Sequence, residues 1–218
     1  MKEIFKEVEK IYSSKHLLVV GDVMLDKYIW GTTDRISPEA PVPIVHIENV
    51  DYHAGGAANV ARNISGLGGR VSLVGLIGND PTGSTLKTIL AADDLSDHYL
   101  VSDPRRITTV KTRIIAQGQH VARLDDEDNT MASVDTTAAL KEIMTPLLGE
   151  VDGILLQDYN KGVLSTELIS WVIARANENF IPVYVDPKNN HFSSYRGARL
   201  FKPNYAEYLS AIRTGADL

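Results

Sequence analysis

Leu17-Leu18-Val19-Val20 is a continuous apolar run that stops at Gly21-Asp22, and the same signature returns along the chain. It recurs in Val71-Ser72-Leu73-Val74-Gly75, in Gly153-Ile154-Leu155-Leu156-Gln157 and in Val183-Tyr184-Val185-Asp186. A last, weaker copy is Arg199-Leu200-Phe201-Lys202-Pro203-Asn204. Apolar runs without polar alternation belong to strands buried on both faces. Between them lie stretches of helical spacing at about residues 56–67, up to about residue 92, at 136–148 and at 166–177. Residues 2–13, with Ile4, Phe5, Val8 and Ile11, read as a leading amphipathic helix. Strands alternating with helices predict an α/β fold built on a parallel sheet covered on both faces. The 218 residues suit one domain, with no internal repeat or linker.

Residues 27–50 break the alternation. Tyr28-Ile29-Trp30-Gly31 and Ile44-Val45-His46-Ile47 read as short strands, separated by Arg35-Ile36-Ser37-Pro38 and Pro41-Val42-Pro43. The prolines exclude a helix and favour edge strands and turns. Residues 108–115 and 119–124 form a second such piece, a hairpin around Gly118. The two pieces, at about 27–50 and 105–125, are expected to make a small β lid over the mouth of a site.

Ala54-Gly55-Gly56-Ala57-Ala58-Asn59 marks where a loop turns into a helix. With so little side chain, backbone N–H groups can approach a polar ligand, and the helix adds the positive end of its dipole. Asn59, one turn in, offers an amide to a sugar hydroxyl. The bland alternative is a tight turn feeding a helix that packs closely on the sheet. Polar residues also collect at the strand ends: Asp22 and Asp26, Asp158 with Lys161, Asp186 with Lys188, and Lys202 with Asn204. In a parallel sheet these ends share one side, where ligands bind. Carboxylates there suit sugar hydroxyls and ammonium groups suit phosphates, although each residue alone is as readily a turn former. Asn204-Tyr205-Ala206-Glu207 reads either as a capping box or as a phosphate site where Glu207 holds hydrated magnesium.

The net charge of -6 gives no footprint for nucleic acid or an anionic membrane. With no cysteine, disulfides and thiolate zinc sites are excluded. No Walker A loop, Gly-x-Ser-x-Gly elbow or metalloprotease His-Glu pair is present. Residues 1–12 are too charged for a signal peptide, and no apolar run reaches membrane-spanning length. A cytoplasmic protein is expected.

Together these residues resemble the ribokinase-type, or phosphofructokinase-B-type, carbohydrate kinase family. Gly55-Gly56-Ala57-Ala58-Asn59-Val60-Ala61 is similar to its first signature, Gly75-x-x-Gly78-x-Asp80-x-x-Gly83 to the usual continuation, and Asn204-x-x-Glu207 to its magnesium and phosphate motif. The branch of the family that acts on heptose 7-phosphate in bacterial lipopolysaccharide precursor synthesis is the most similar. The residues that narrow it are Gly21-Asp22-Val23-Met24-Leu25-Asp26, Arg35-Ile36-Ser37-Pro38-Glu39-Ala40-Pro41-Val42-Pro43, Asp158-Tyr159-x-Lys161-Gly162-Val163-Leu164 and Asp186-Pro187-Lys188. Asn160 stands where that branch has a small residue.

The resemblance implies a three-layer sandwich with a mostly parallel sheet and a β lid. It implies ATP-dependent phosphorylation of the anomeric hydroxyl of a heptose 7-phosphate. ATP and Mg2+ would be the cofactors, and the lid a homodimer contact. Asp22, Asp26, Gly55, Gly56 and Asn59 would hold the sugar, with Lys161, Asp186 and Lys188 in the same pocket. Arg35, Arg113 and Arg123, in the lid, would pair with the 7-phosphate. Lys202, Asn204 and Glu207 would face the nucleotide, Glu207 reaching magnesium through water.

The family's second signature, Thr-x-Gly-Ala-Gly-Asp, carries the general-base aspartate and is expected beyond Leu218. Thr214-Gly215-Ala216-Asp217 resembles it but lacks the second glycine and comes too early. Residues 1–218 are therefore expected to be an incomplete kinase domain with no catalytic residue of its own. The alternatives are a non-catalytic sugar-phosphate-binding module and a kinase of the same fold for another sugar or a nucleoside.

Overall fold

The computed structural model describes residues 7, 10–93, 95 and 99–214; most of the expected helix at 2–13 and the Gly215-Ala216-Asp217 run lie outside them. In chain order the strands are β1 (His16–Gly21), β2 (Val23–Ile36), β3 (Pro43–Gly56), β4 (Arg70–Gly78) and β5 (Leu100–Asp103). They continue with β6 (Val110–Ala116), β7 (Gln119–Asp126), β8 (Gly153–Gln157), β9 (Val183–Asp186) and β10 (Leu200–Phe201). The helices are α1 (Ala57–Gly66), α2 (Pro81–Ala92), α3 (Val134–Leu147), α4 (Thr166–Glu178) and α5 (Tyr205–Thr214), with a 3-10 turn at Asn189–Tyr195.

Six strands form one sheet in the order β10-β9-β8-β1-β4-β5, and every pairing in it is parallel. The apolar runs explain why. Val19 of β1 points to one face, where it packs with Leu73 and Ile77 under Ala57, Ala58 and Ala61 of α1 and Leu86 and Leu90 of α2. Leu18 and Val20 point to the other face, where Ile154, Leu156 and Val183 meet Leu140 and Met144 of α3 and Leu168 and Val172 of α4. A strand packed on both faces has no polar side to show, so its sequence cannot alternate. The result is the three-layer α/β sandwich.

The second sheet, in the order β3-β2-β6-β7, is the lid. Its strands differ from the short ones expected: β2 and β3 each run 14 residues and pair from Val23↔Gly56 out to Ile36↔Pro43. The prolines sit only at the outer end, Pro38 and Pro41 in the turn and Pro43 opening β3, so they interrupt no ladder. The second hairpin turns at Gln117 and Gly118, both with positive φ, 52° and 77°. That is the sense of bend that matches strand twist. Cross-strand register gives this sheet two unlike faces. Asp26, Tyr28, Trp30, Asp51, His53, Lys111, Arg113, Arg123 and Asp125 share one; Ile29, Val50, Ile47, Tyr52, Ile114 and Leu124 share the other.

Two further differences come from short elements. β5 adds an unexpected strand beside β4, and the expected strand at 199–204 contracts to Leu200–Phe201. Among the described residues no helix is long and apolar enough to cross a membrane.

Candidate functional site

The polar strand ends do gather on one side of the parallel sheet, but they divide their labour differently from expectation. Asp22, just past β1, is buried to 1% exposure. Its Oδ2 accepts N–H bonds from Tyr159 at 2.8 Å and Lys161 at 3.0 Å, and its Oδ1 accepts from Val163 at 3.1 Å. Asp22, the residue expected to hold a sugar hydroxyl, anchors the 158–163 loop beyond β8. Burial pushes its carboxyl above the usual carboxylate range, against the pull of the three N–H groups, and the nearby Asp158 adds to the push. Asp158 is buried as well, accepting from the Asn160 N–H at 2.7 Å and the Tyr195 hydroxyl at 2.8 Å. Asn160 takes the left-handed conformation, φ 55°, which asparagine tolerates.

Asp26 is the carboxylate that faces the Gly-rich stretch. A Cβ on Gly55 would fall 2.5 Å from Asp26 Oδ2 and 2.9 Å from Met24 Cγ, so only glycine lets the carboxylate approach the backbone there. Gly56, with φ 58°, makes the turn into α1. Asp26 Oδ1 accepts from Arg113, which lies two residues beyond its register partner Lys111 on the neighbouring strand β6. The Arg113 guanidinium also lies over the Tyr28 ring, 5.1 Å from its centroid. Tyr28 stacks with Trp30 at 5.9 Å and meets His53 edge-on at 5.5 Å. The aromatic residues look scattered in the sequence, yet strand register collects three rings on the lid's polar face.

A second cluster lies at the ends of β9 and β10. Asp186 accepts from Gln157 Nε2 at 2.7 Å and pairs with Lys202 Nζ at 3.1 Å. Lys188 pairs with Glu207, whose side chain is 7% exposed. Burial pulls the Lys188 ammonium down, but the bond to Glu207 and its charge outweigh that, so it titrates above ordinary lysine. The Asn204 N–H donates to Glu207 Oε2 at 2.8 Å and the Glu207 N–H to Asn204 Oδ1 at 2.9 Å. This reciprocal capping box opens α5. Asp186 and Lys188, expected in the sugar pocket, thus stand with Lys202, Asn204 and Glu207.

Tyr159 stands between the two clusters. Lys188 Nζ lies 5.7 Å from its ring centroid. Burial and the carboxylate of Asp186 raise its phenol, Lys188 and Lys111 pull the other way, and Asp26 raises it further. Lys161 turns toward the base of the lid, where Nζ meets Glu127 at 2.7 Å and Asn129 at 2.9 Å.

Three further expected ligand residues, Arg35, Arg123 and Asn59, make no contact with Asp26 among the described residues. Arg35 is exposed near the tip of β2, nine residues beyond Asp26, or about 30 Å at strand rise. Arg123 is paired with Asp125 at 3.0 Å on the outermost lid strand, opposite Arg113. Asn59 is exposed in the first turn of α1, lining a depression with Arg62, Asn63 and Asp93. Glu127 carries no signal of its own in the sequence, and Tyr28 and Tyr159 none beyond the stretches that contain them, since no spacing rule reports which loops the fold brings together. Among the described residues no cluster of three or more acidic or histidine side chains could hold a metal directly. Glu207, with one carboxylate already shared by a cap and a lysine, fits an outer, water-mediated part in holding magnesium.

Residues 14–212 match the pfkB family of carbohydrate kinases. Bifunctional protein HldE of Helicobacter pylori is 41% identical over 203 residues, covering 93% of this chain and 44% of that protein. The protein of the same name from a Caulobacter species is 43% identical over 217 residues, 99% of this chain and 44% of its own length. The chain therefore spans less than half the length of these curated relatives. Among solved structures, phosphofructokinase-2 of Escherichia coli in complex with substrates and products has a TM-score of 0.70 at 20% identity, covering 91% of this chain and 63% of that one. The ribokinase of Arabidopsis thaliana complexed with ribose and ATP has a TM-score of 0.64 at 16% identity, covering 90% and 62%. At such identities the structural matches speak for the fold alone.

Proposed function

This chain belongs to the pfkB family of carbohydrate kinases, and we propose that it forms the sugar-phosphate-binding part of a cytoplasmic heptose 7-phosphate kinase. The observation that carries the reading is the Asp26, Gly55 and Arg113 constellation at the base of the lid, where β2 follows the carboxyl end of β1. The Asp26 carboxylate would accept hydrogen bonds from sugar hydroxyls, and the missing side chain at Gly55 gives that carboxylate room to lie against the backbone. Arg113 pairs with Asp26 and has donors left for a phosphate, which its planar fork grips in a bidentate way. Likeness to HldE over nearly the whole chain points to the heptose branch of the family.

Phosphoryl transfer asks the protein for position and electrostatics more than for covalent chemistry. Asp26 and the Gly55 backbone would fix the acceptor sugar. Lys188 and Lys202, at the ends of β9 and β10, would meet the phosphates of ATP. Magnesium would neutralise phosphate charge, with Glu207 holding it through water. The apolar lid face around Ile47, Tyr52 and Leu124 is exposed, and a second copy of the chain is its proposed cover.

Calorimetric titration with a panel of D-glycero-D-manno-heptose 7-phosphate, fructose 6-phosphate, ribose and adenosine tests the reading. Saturable binding of the heptose phosphate at least about tenfold tighter than the others supports it, a gap of about 1.4 kcal/mol. Preference for another sugar or a nucleoside would reassign the substrate.

A further inference from the structure

The Gly75–Gly83 motif takes no part in the site described above; it cradles the loop at residues 103–109. A Cβ on Gly78 would fall 2.6 Å from the Arg106 carbonyl oxygen, and one on Gly83 would fall 2.9 Å from Thr108 Oγ1. Asp80, which caps α2 by accepting the Gly83 N–H at 2.6 Å, accepts the Thr108 N–H at 2.7 Å through its other oxygen. The Gly78 N–H donates to Thr108 Oγ1 at 2.9 Å. At the other end of the loop, Asp103 holds Arg105 through Nε and Nη2, both at 2.9 Å, and accepts the Thr136 hydroxyl at 2.9 Å. The Leu25 N–H donates to the Thr109 carbonyl at 2.9 Å, tying the loop to the base of the lid.

From this pinned loop the Arg105 guanidinium reaches Ser133 Oγ at 2.6 Å, and that of Arg106 reaches two other segments. Arg106 Nη1 donates to the Thr130 carbonyl at 3.2 Å, and Nη2 donates to the carbonyls of Asp128 at 3.4 Å and Lys161. The first two lie between the lid and α3, the third in the 158–163 loop that Asp22 holds from beneath. A backbone bond, Ala132 N–H to the Gly162 carbonyl at 2.8 Å, runs beside them. Lys161 extends its ammonium to Glu127 and Asn129 in the same strip, and Glu127 also meets Lys111 of β6 at 3.3 Å. Bonding carbonyls of two separate loops at once suits a planar fork of donors; lysine presents a single point charge.

We propose that Arg106 is a positioning residue: its guanidinium sets the 158–163 loop against the base of the lid, and so places Tyr159 and Lys161 for the phosphorylated sugar. The identity of that sugar rests on the function proposed above; the clamping of the two loops does not.

The test compares the wild-type chain with Arg106→Lys and Arg106→Met by amide hydrogen exchange, then by calorimetric titration with D-glycero-D-manno-heptose 7-phosphate and with ATP. Both variants should unfold cooperatively, with exchange in 127–132 and 158–163 faster by about tenfold or more and β1 and β8 unchanged. Heptose phosphate affinity should fall about tenfold in each, with ATP affinity unchanged. Unchanged exchange in the two loops overturns the proposal. So does a loss shared equally by both ligands, or loss of cooperative unfolding in both variants, since either means a general structural role. If the wild-type chain binds no heptose phosphate, the functional reading fails while the exchange result still decides the role of Arg106.

Discussion

Replacing Asp22 by alanine should unfasten the 158–163 loop. The substitution leaves the N–H groups of Tyr159, Lys161 and Val163 without their acceptor, in a place where Asp22 itself is only 1% exposed. A buried donor left unsatisfied costs about 1–3 kcal/mol, so three cost about 3–9 kcal/mol. Removing a desolvated carboxylate offsets part of that, because burial dominates its raised pKa. A net loss of about 3–5 kcal/mol remains, or roughly 10 °C in Tm for a chain of this size. Asp22→Asn keeps one acceptor and should cost less. The pH dependence has a definite sign. A folded carboxyl that binds its proton at higher pH than the unfolded chain adds stability as pH falls. The advantage of wild type over Asp22→Asn should therefore grow as pH drops toward the ordinary value of 3.8, and shrink as pH rises. Urea unfolding at pH 7 and pH 4.5, with amide exchange on residues 158–163, measures both. An Asp22→Ala variant within about 1 kcal/mol of wild type, with its loop amides still protected, would refute the reasoning.

Gly55→Ala drives a methyl into Asp26 Oδ2 and Met24 Cγ, so heptose phosphate affinity should fall about tenfold by titration while Tm moves little. Arg113→Lys should weaken the same binding by about tenfold, whereas Arg123→Lys, an exposed pair with Asp125, should change it by less than about twofold. Asp103→Asn should cost about 1–3 kcal/mol at pH 7. Hydrogen bonds from Arg105 hold the Asp103 carboxyl well below the usual range, so this difference should shrink in urea titrations as pH falls below about 3.8.

The core of the fold is legible because strands buried on both faces leave an unmistakable apolar run, in which Val19 serves one layer and Leu18 and Val20 the other. The lid is harder to read. β2 shows no polar–apolar alternation over its 14 residues, and Pro38, Pro41 and Pro43 suggest interruption where they only mark the tip. β5 has four residues before Pro104, too few to show a period. Within the site, Asp22 and Asp26 look equivalent in sequence, both carboxylates just past the first strand. The structure separates them, because one points down into three N–H groups and the other out over Gly55. Arg106 leaves no trace at all, since its partners are main-chain carbonyls and any residue supplies those.

Titration of Asp26→Asn beside wild type, with D-glycero-D-manno-heptose 7-phosphate and no nucleotide, tests the central claim most directly. Wild type should bind saturably, and Asp26→Asn, unfolding as cooperatively, should bind at least about tenfold more weakly, about 1.4 kcal/mol. Equal affinities would place the sugar elsewhere, and a cooperatively folded wild type that binds nothing would contradict the sugar-phosphate assignment itself.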